Sequence, residues 1–364
     1  MECLGLTPDQ LARSTRLHFA RRLLDDTDLT IADTAFAAGF GSVRQFNRAC
    51  REVFRATPGE LRARRRVRDR LVADGGIALR IPFQPPFDWP AMLRYMQTRG
   101  IAGVEDATAD RYRRTVVIDG DPGVLEFWAG GPEHLVLQAH LPHWAGLIHI
   151  VQRARGIFNL DADADTAHRD LAADPLVGPL VRDRPGIRPP GAWDVFETGT
   201  ECIVAAGQAD PGVAAALMRR IVERCGTAVP GLRAFGLTHT FPAPSTLAQA
   251  DLRGLGLGES GIAAVHSFAQ AAAATGNGGS RFDLLAGSVT QVGALSAEAA
   301  RYLAMRLGER DAFPSASPGL LRALSHATGH AVTPRQAESI ADGWRPWRAH
   351  AAALLWFADQ AVAA

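Results

Sequence analysis

Apolar and polar positions through the first sixty residues recur at helical spacing, interrupted by turn signals. Residues 8–24 read as one helix and 32–39 as a second; Gly39-Phe40-Gly41-Ser42 is a tight turn ending in an N-cap, after which helical periodicity resumes over 43–54. The natural reading is helix, turn, helix. From residue 79 the period shortens. Apolar runs at 79–83, 115–118, 123–128 and 135–139 are bounded by turn residues and predict strands, with a helical stretch at 89–99 between the first two. These elements make a small α+β domain. Beyond about residue 144 helices dominate. Arg184-Pro185-Gly186-Ile187-Arg188-Pro189-Pro190-Gly191 is a stiff loop leading into a helix near Asp194, and Phe241-Pro242-Ala243-Pro244 introduces another. A charged, helical run over 62–70 ends at Gly75-Gly76, which predicts the linker and a division into 1–75, 76–155 and 156–364. The small-residue run 271–279 reads as a helix end and loop, and no repeat at solenoid spacing is present. The predicted fold class is α+β, mostly helical.

Composition narrows the setting. The chain has 364 residues, 47% of them apolar, which is enough for the cores of two to four compact units. No apolar run approaches the roughly 18 residues of a membrane-spanning helix, and no basic-then-apolar leader opens the sequence, so a soluble cytoplasmic protein without membrane contact is expected. Cys3, Cys50, Cys202 and Cys225 are scattered with no C-x-x-C pair, which predicts neither a disulfide framework nor a metal site. Net charge is +1, but residues 11–70 hold 14 Arg against 7 Asp plus Glu, a local excess suited to phosphate contact.

The string from Ile31 to Arg48, followed by Phe54-Arg55-Ala56-Thr57-Pro58, resembles the second helix-turn-helix of AraC-type regulators, in the form found in adaptive-response proteins. That family joins two such motifs by a long helix, and here the sequence starts too late for the first. Either a truncated start or a natural half-module accounts for this. If the recognition helix enters a major groove, Arg44, Gln45 and Arg48 are the side chains available to base edges; otherwise the helix pair is a surface relic.

Further on, Asp311-Ala312-Phe313-Pro314-Ser315-Ala316-Ser317-Pro318-Gly319-Leu320, Trp344-Arg345-Pro346-Trp347-Arg348 and Leu354-Leu355-Trp356 together resemble the C-terminal third of the 3-methyladenine DNA glycosylases of the AlkA type. Pro82-Phe83-Gln84-Pro85-Pro86-Phe87-Asp88-Trp89 is similar to the opening of that family's N-terminal sheet-and-helix domain. The resemblance covers about 79–360. It implies helix-hairpin-helix glycosylase lobes, alkylated double-stranded DNA as partner, a monomer, no cofactor, and hydrolysis of an N-glycosidic bond. All 39 basic residues are arginine, so no lysine amine exists for the Schiff base that a glycosylase/lyase uses. The iron-sulfur branch of the superfamily is excluded as well, because no cysteine follows Cys225.

Several family motifs are altered. The catalytic Asp of the first run is Ser317, and serine carries no charge at neutral pH, whereas bond cleavage builds positive charge on the sugar that a carboxylate stabilises. Asp311 matches the family's first Asp, expected as a cap, and is the unlikely substitute. Anchored on Tyr302-Leu303-Ala304-Met305-Arg306, the DNA-gripping hairpin has Ala294 and Ser296 in place of two glycines. Glu298 replaces a tryptophan and is expected at the DNA surface, opposing phosphates. The family's pocket-lining glutamines align with Ala206 and Gly207, or in a register one residue on with Gln208, before Asp210-Pro211 interrupts the helix. Trp356 and Tyr302 match the aromatics that meet the flipped base, where a cationic alkylated purine would gain roughly 0.5–2 kcal/mol from an indole face. The expectation is AlkA-like recognition of alkylated bases with catalysis attenuated or lost; the alternative is a non-catalytic DNA-binding or transcriptional regulatory protein of the adaptive response.

Overall fold

The structure, a computed structural model, describes residues 8–64, 76–206, 208, 211–274 and 295–362. In chain order the elements are α1 (Pro8–Asp26), α2 (Ile31–Ala37), α3 (Val43–Phe54), α4 (Pro58–Ala63), β1 (Ile77–Pro82), α5 (Trp89–Arg99), β2 (Glu105–Ala107), β3 (Arg111–Ile118), β4 (Asp121–Gly131), β5 (His134–His140) and α6 (Leu147–Ile157). Then come α7 (Ala164–Leu171), α8 (Gly178–Asp183), α9 (Val195–Ala206), α10 (Pro211–Cys225), α11 (Pro244–Gln249), α12 (Glu259–Ala274), α13 (Ala297–Arg306), α14 (Pro318–Thr328), α15 (Pro334–Ala341) and α16 (Arg348–Val362). The chain forms two compact units: residues 1–82 with 118–152, and 83–117 with 153–364.

In the first unit three helix starts are set by side-chain caps. Thr30 accepts from the Asp33 amide, Ser42 from the Gln45 amide, and Thr57 forms a reciprocal capping box with Glu60. The turn after α2 depends on Gly39, whose φ of +80° is open to glycine and strained for other residues. Phe40 then meets Phe46 with ring centroids 5.2 Å apart, and both are buried, as are Leu17, Leu23 and Leu24 of α1. The predicted third helix matches α3 at both ends, whereas the second stops at Ala37, two residues early, because Ala38 and Gly39 close the turn. Of the predicted helical run 62–70, α4 covers only the start, and residues 65–75, including Gly75 of the linker, lie outside the described residues.

Strands β1, β5 and β4 pair antiparallel in that order, with Leu79 opposite Leu137 and Phe127 opposite Leu137 on the other side. Both β1 and β5 are buried over most of their length, Ile77, Ala78, Leu79 and Ile81 in β1 and Leu135, Val136, Leu137 and Ala139 in β5. Asp26, at the end of α1, accepts from both the Arg80 amide and guanidinium, joining that helix to β1. Its burial pushes the carboxyl up, and Arg80 opposes the shift.

The second unit holds the β2–β3 pair and the long helical region. Strand β2 escaped the sequence pattern because Glu105-Asp106-Ala107 has neither β-branched residues nor apolar alternation. Helix α9 starts at Val195, where Asp194 Oδ1 accepts from the amides of Phe196 (2.8 Å) and Glu197 (3.2 Å). Its core face, with Phe196 stacked on Phe268 of α12 at 5.6 Å, meets Leu217, Ile221 and Leu303. Beneath it a buried ion pair forms, Arg114 Nη2 donating to both Glu197 oxygens at 2.9 and 2.8 Å.

Candidate functional site

Three helices of the second unit converge on one ring of side chains. Ser317 is the N-cap residue of α14, yet its hydroxyl makes no capping bond; it accepts instead from Trp356 Nε1 of α16 at 3.1 Å. The Trp356 ring meets Tyr302 of α13 edge to face, centroids 5.6 Å apart. Gly319 sits under the indole, since a Cβ there would lie 3.2 Å from Trp356 Cδ1. Ser317, Trp356 and Tyr302, separated widely in sequence, are thereby brought together, and both Ser317 and Trp356 keep partial exposure.

A polar network fixes Tyr302 from behind. Its hydroxyl shares a 2.8 Å hydrogen bond with Tyr95 of α5 and accepts from Arg306 Nη1 at 3.0 Å. Arg306, buried, also donates to Gly191 O at 2.9 Å and lies 3.6 Å from Glu201 of α9. Burial pushes the Tyr95 phenol up, so it stays a neutral partner. Nothing in the sequence pattern pairs Tyr95 with Tyr302, because their bond spans 207 positions.

Asp311 is held elsewhere. Arg345 donates to Oδ2, Arg348 Nε donates to Oδ1 at 2.8 Å and Arg348 Nη2 to Oδ2 at 3.2 Å. The expected cap is therefore a clamp between the Phe313 loop and the start of α16, with both oxygens engaged. Glu298 stays partly exposed, and its side chain reaches the Ser317 loop, where Oε1 accepts from the Ala316 amide at 3.0 Å. Burial pushes this carboxyl up, while the amides of Ala316 and Ser317 and the nearby Arg301 pull it down.

Ser296 caps α13, its Oγ accepting from the Ala299 amide at 3.2 Å, so the hairpin's second altered position is a helix cap. Ala294, the first, lies outside the described residues, as does Gly207. Gln208 lies past the last residue of α9, its amide bonded to Ala205 O at 3.0 Å, and no hydrogen bond among the described residues joins it to Trp356 or Tyr302. Asp210 of the expected Asp210-Pro211 interruption lies outside the described residues; Gln208, between α9 and α10, is not helical.

In the first unit Arg44, Gln45 and Arg48 are exposed on α3. Gln45 Oε1 accepts from the Gly41 amide at 3.2 Å, which assigns half of that side chain to the turn. Arg48 Nε donates to Glu52 at 2.9 Å, and Glu52 also takes Arg13. The two arginines hold the Glu52 carboxyl below the usual range.

Among the described residues no cluster of three or more His, Cys, Asp or Glu side chains could hold a metal ion, and no helix is long and apolar enough to cross a membrane.

The fold is that of the helix-hairpin-helix glycosylases, preceded by a helix-turn-helix region: a 3-methyladenine DNA-glycosylase from Archaeoglobus fulgidus superimposes with a TM-score of 0.64 at 18% identity, over 77% of this chain and 98% of its own. Family models match residues 78–194 (AlkA N-terminal domain) and 1–64 (helix-turn-helix domain). The probable bifunctional transcriptional activator/DNA repair enzyme AlkA of Mycobacterium tuberculosis is 30% identical over 359 residues, 97% of this chain and 72% of that protein. The DNA-3-methyladenine glycosylase 2 of Escherichia coli is 27% identical over 293 residues, 76% of this chain and 96% of that protein. The chain belongs to the AlkA family of DNA repair proteins.

Proposed function

We propose that this protein recognises alkylated bases in double-stranded DNA as a cytoplasmic monomer and excises them slowly, by monofunctional hydrolysis of the N-glycosidic bond. Support comes from its relatives' names and from the ring of Trp356, Tyr302 and Ser317. The observation that carries the attenuation is Ser317 itself. Its neutral hydroxyl is bonded to Trp356 at the position where the family resemblance puts a carboxylate. An electron-rich indole and phenol suit a flipped purine made cationic by alkylation. The leaving base departs neutral, which keeps 3-methyladenine and 7-methylguanine cleavable with little help. Losing one electrostatic partner costs roughly 10²- to 10³-fold in rate. Release of bases from methylated DNA, run beside the E. coli relative, tests this: a rate lower by about 10²-fold is expected, and an equal rate overturns it. A second reading, a non-catalytic regulator of the adaptive response, is favoured by one feature, the exposed Arg44 and Arg48 on α3. Complete absence of excision together with retained DNA binding would select it.

A further inference from the structure

Four carboxylates of this part of the second unit differ in how their charge is met. Asp311 is clamped by Arg345 and Arg348, Asp359 is paired with Arg322 at 2.8 Å, and Glu201 faces Arg306 at 3.6 Å. Glu298 is the most loosely paired of the four, Arg301 Nη1 standing 4.0 Å from its Oε2. Arg301 is shared, since it also lies 3.6 Å from Glu338 and donates to Ser315 Oγ at 3.2 Å. Glu298 and Tyr302 are one turn apart on α13, so they share a face. Tyr302 meets Trp356, Trp356 bonds Ser317, and Glu298 bonds the amide of Ala316 next to it. These contacts link Glu298, the most loosely paired of the four carboxylates, to Ser317, Trp356 and Tyr302.

The geometry points to Glu298 as the carboxylate that replaces the missing aspartate, facing the sugar of a nucleotide whose base lies against Trp356 and Tyr302. This rests on the excision reading above. In the reaction the C1′–N bond breaks, its electron pair leaves with the cationic base to give a neutral one, and positive charge spreads over C1′ and the ring oxygen. The Glu298 carboxylate stabilises that charge; water then adds to C1′ and releases its proton to the carboxylate or to solvent. Held by a backbone amide from an adjacent loop, the group sits off the position that Ser317 occupies, which fits a catalyst that works but works slowly.

The test separates charge from structure. Two duplexes are compared, one carrying a cationic pyrrolidine in place of the sugar and one a neutral tetrahydrofuran abasic analogue. Wild-type protein should bind the cationic duplex at least about tenfold tighter. Glu298→Gln, which keeps an acceptor for the Ala316 amide, should lose that preference with tetrahydrofuran binding and thermal midpoint unchanged, and Ser317→Asp in the same chain should restore it. The wild-type preference should also fade as pH falls through a carboxyl range raised from the ordinary one, since burial pushes Glu298 up and Glu338 adds to the rise while Arg301 and the loop amides oppose it; this needs no variant. A preference that persists in Glu298→Gln, or an equal loss for both duplexes, overturns the inference and leaves Glu298 a loop clamp. If wild-type protein binds neither duplex, the excision reading fails and takes the inference with it.

Discussion

The indole of Trp356 and the hydroxyl of Ser317 meet across 3.1 Å, joining α16 to the start of α14. The donor has one acceptor and the acceptor one strong donor, so the contact defines what any side chain at position 317 would face. Aspartate there would receive the same indole proton as a charge-assisted bond, shorter and about twice as strong.

That geometry makes Ser317→Asp the direct test of attenuation. Release of 7-methylguanine from methylated DNA should rise at least about tenfold, short of the full 10²- to 10³-fold value of such a group. The restraint comes from Glu298, whose like charge lies beside the same loop and raises the cost of a second anion. Unchanged release would mean that the ring no longer captures a base.

The buried pair of Arg114 and Glu197 joins β3 to α9, and breaking it from one side is expected to be costly. Arg114→Leu leaves a carboxylate buried without its bidentate partner, a loss of about 3–5 kcal/mol. Thermal unfolding should show a midpoint lower by several degrees. Pairing it with Glu197→Leu should recover much of the loss, because the uncompensated charge goes too.

How much of this could be read in the sequence depends on the range of the interaction. Helix α3, the strands from β3 to β5 and α5 were legible because period, caps and glycine turns act within a few residues. Ser317, Trp356 and Tyr302 were found by resemblance, and their convergence follows from helix packing that no local pattern encodes. The bond from the Ala316 amide to Glu298 has the same origin, since only the fold of that loop brings the amide to α13. Tyr95, the buried Arg306 and the Asp311 clamp likewise belong to contacts between distant segments.

His350 gives a pH prediction. It is buried on α16 with neither ring nitrogen hydrogen-bonded among the described residues, its ring near His168 and Trp347. Burial, helped by His168 and Arg188, lowers its pKa from 6.5 to about 3. Between those values the unfolded chain binds a proton that the folded chain refuses, so stability is present above pH 6.5 and is lost as pH falls toward 3. The slope approaches about 1.4 kcal/mol per pH unit for this group, and His168, lowered by burial as well, adds in the same direction. His350→Leu should flatten the dependence of the unfolding midpoint on pH between 4 and 6.5 (an interval inside the range set by His350). A slope identical to wild type would show that His350 is protonated in the folded protein.

The helix-turn-helix region makes the last prediction, through the salt dependence of DNA binding. Arg44 is exposed and enters no ion pair among the described residues, whereas Arg48 and Arg13 are both drawn to Glu52. If α3 approaches phosphates, Arg44 can release a counterion at once, but Arg48 must first leave Glu52. Arg44→Ala should therefore weaken binding of the whole protein to undamaged duplex and reduce the slope of log affinity against log salt by about 0.9. Glu52→Gln should act in the opposite sense, freeing Arg48 and Arg13 and steepening the slope. Fluorescence anisotropy across a salt series reads both. Slopes unaltered in the two variants would assign duplex binding entirely to the second unit and leave the helix-turn-helix without a DNA contact.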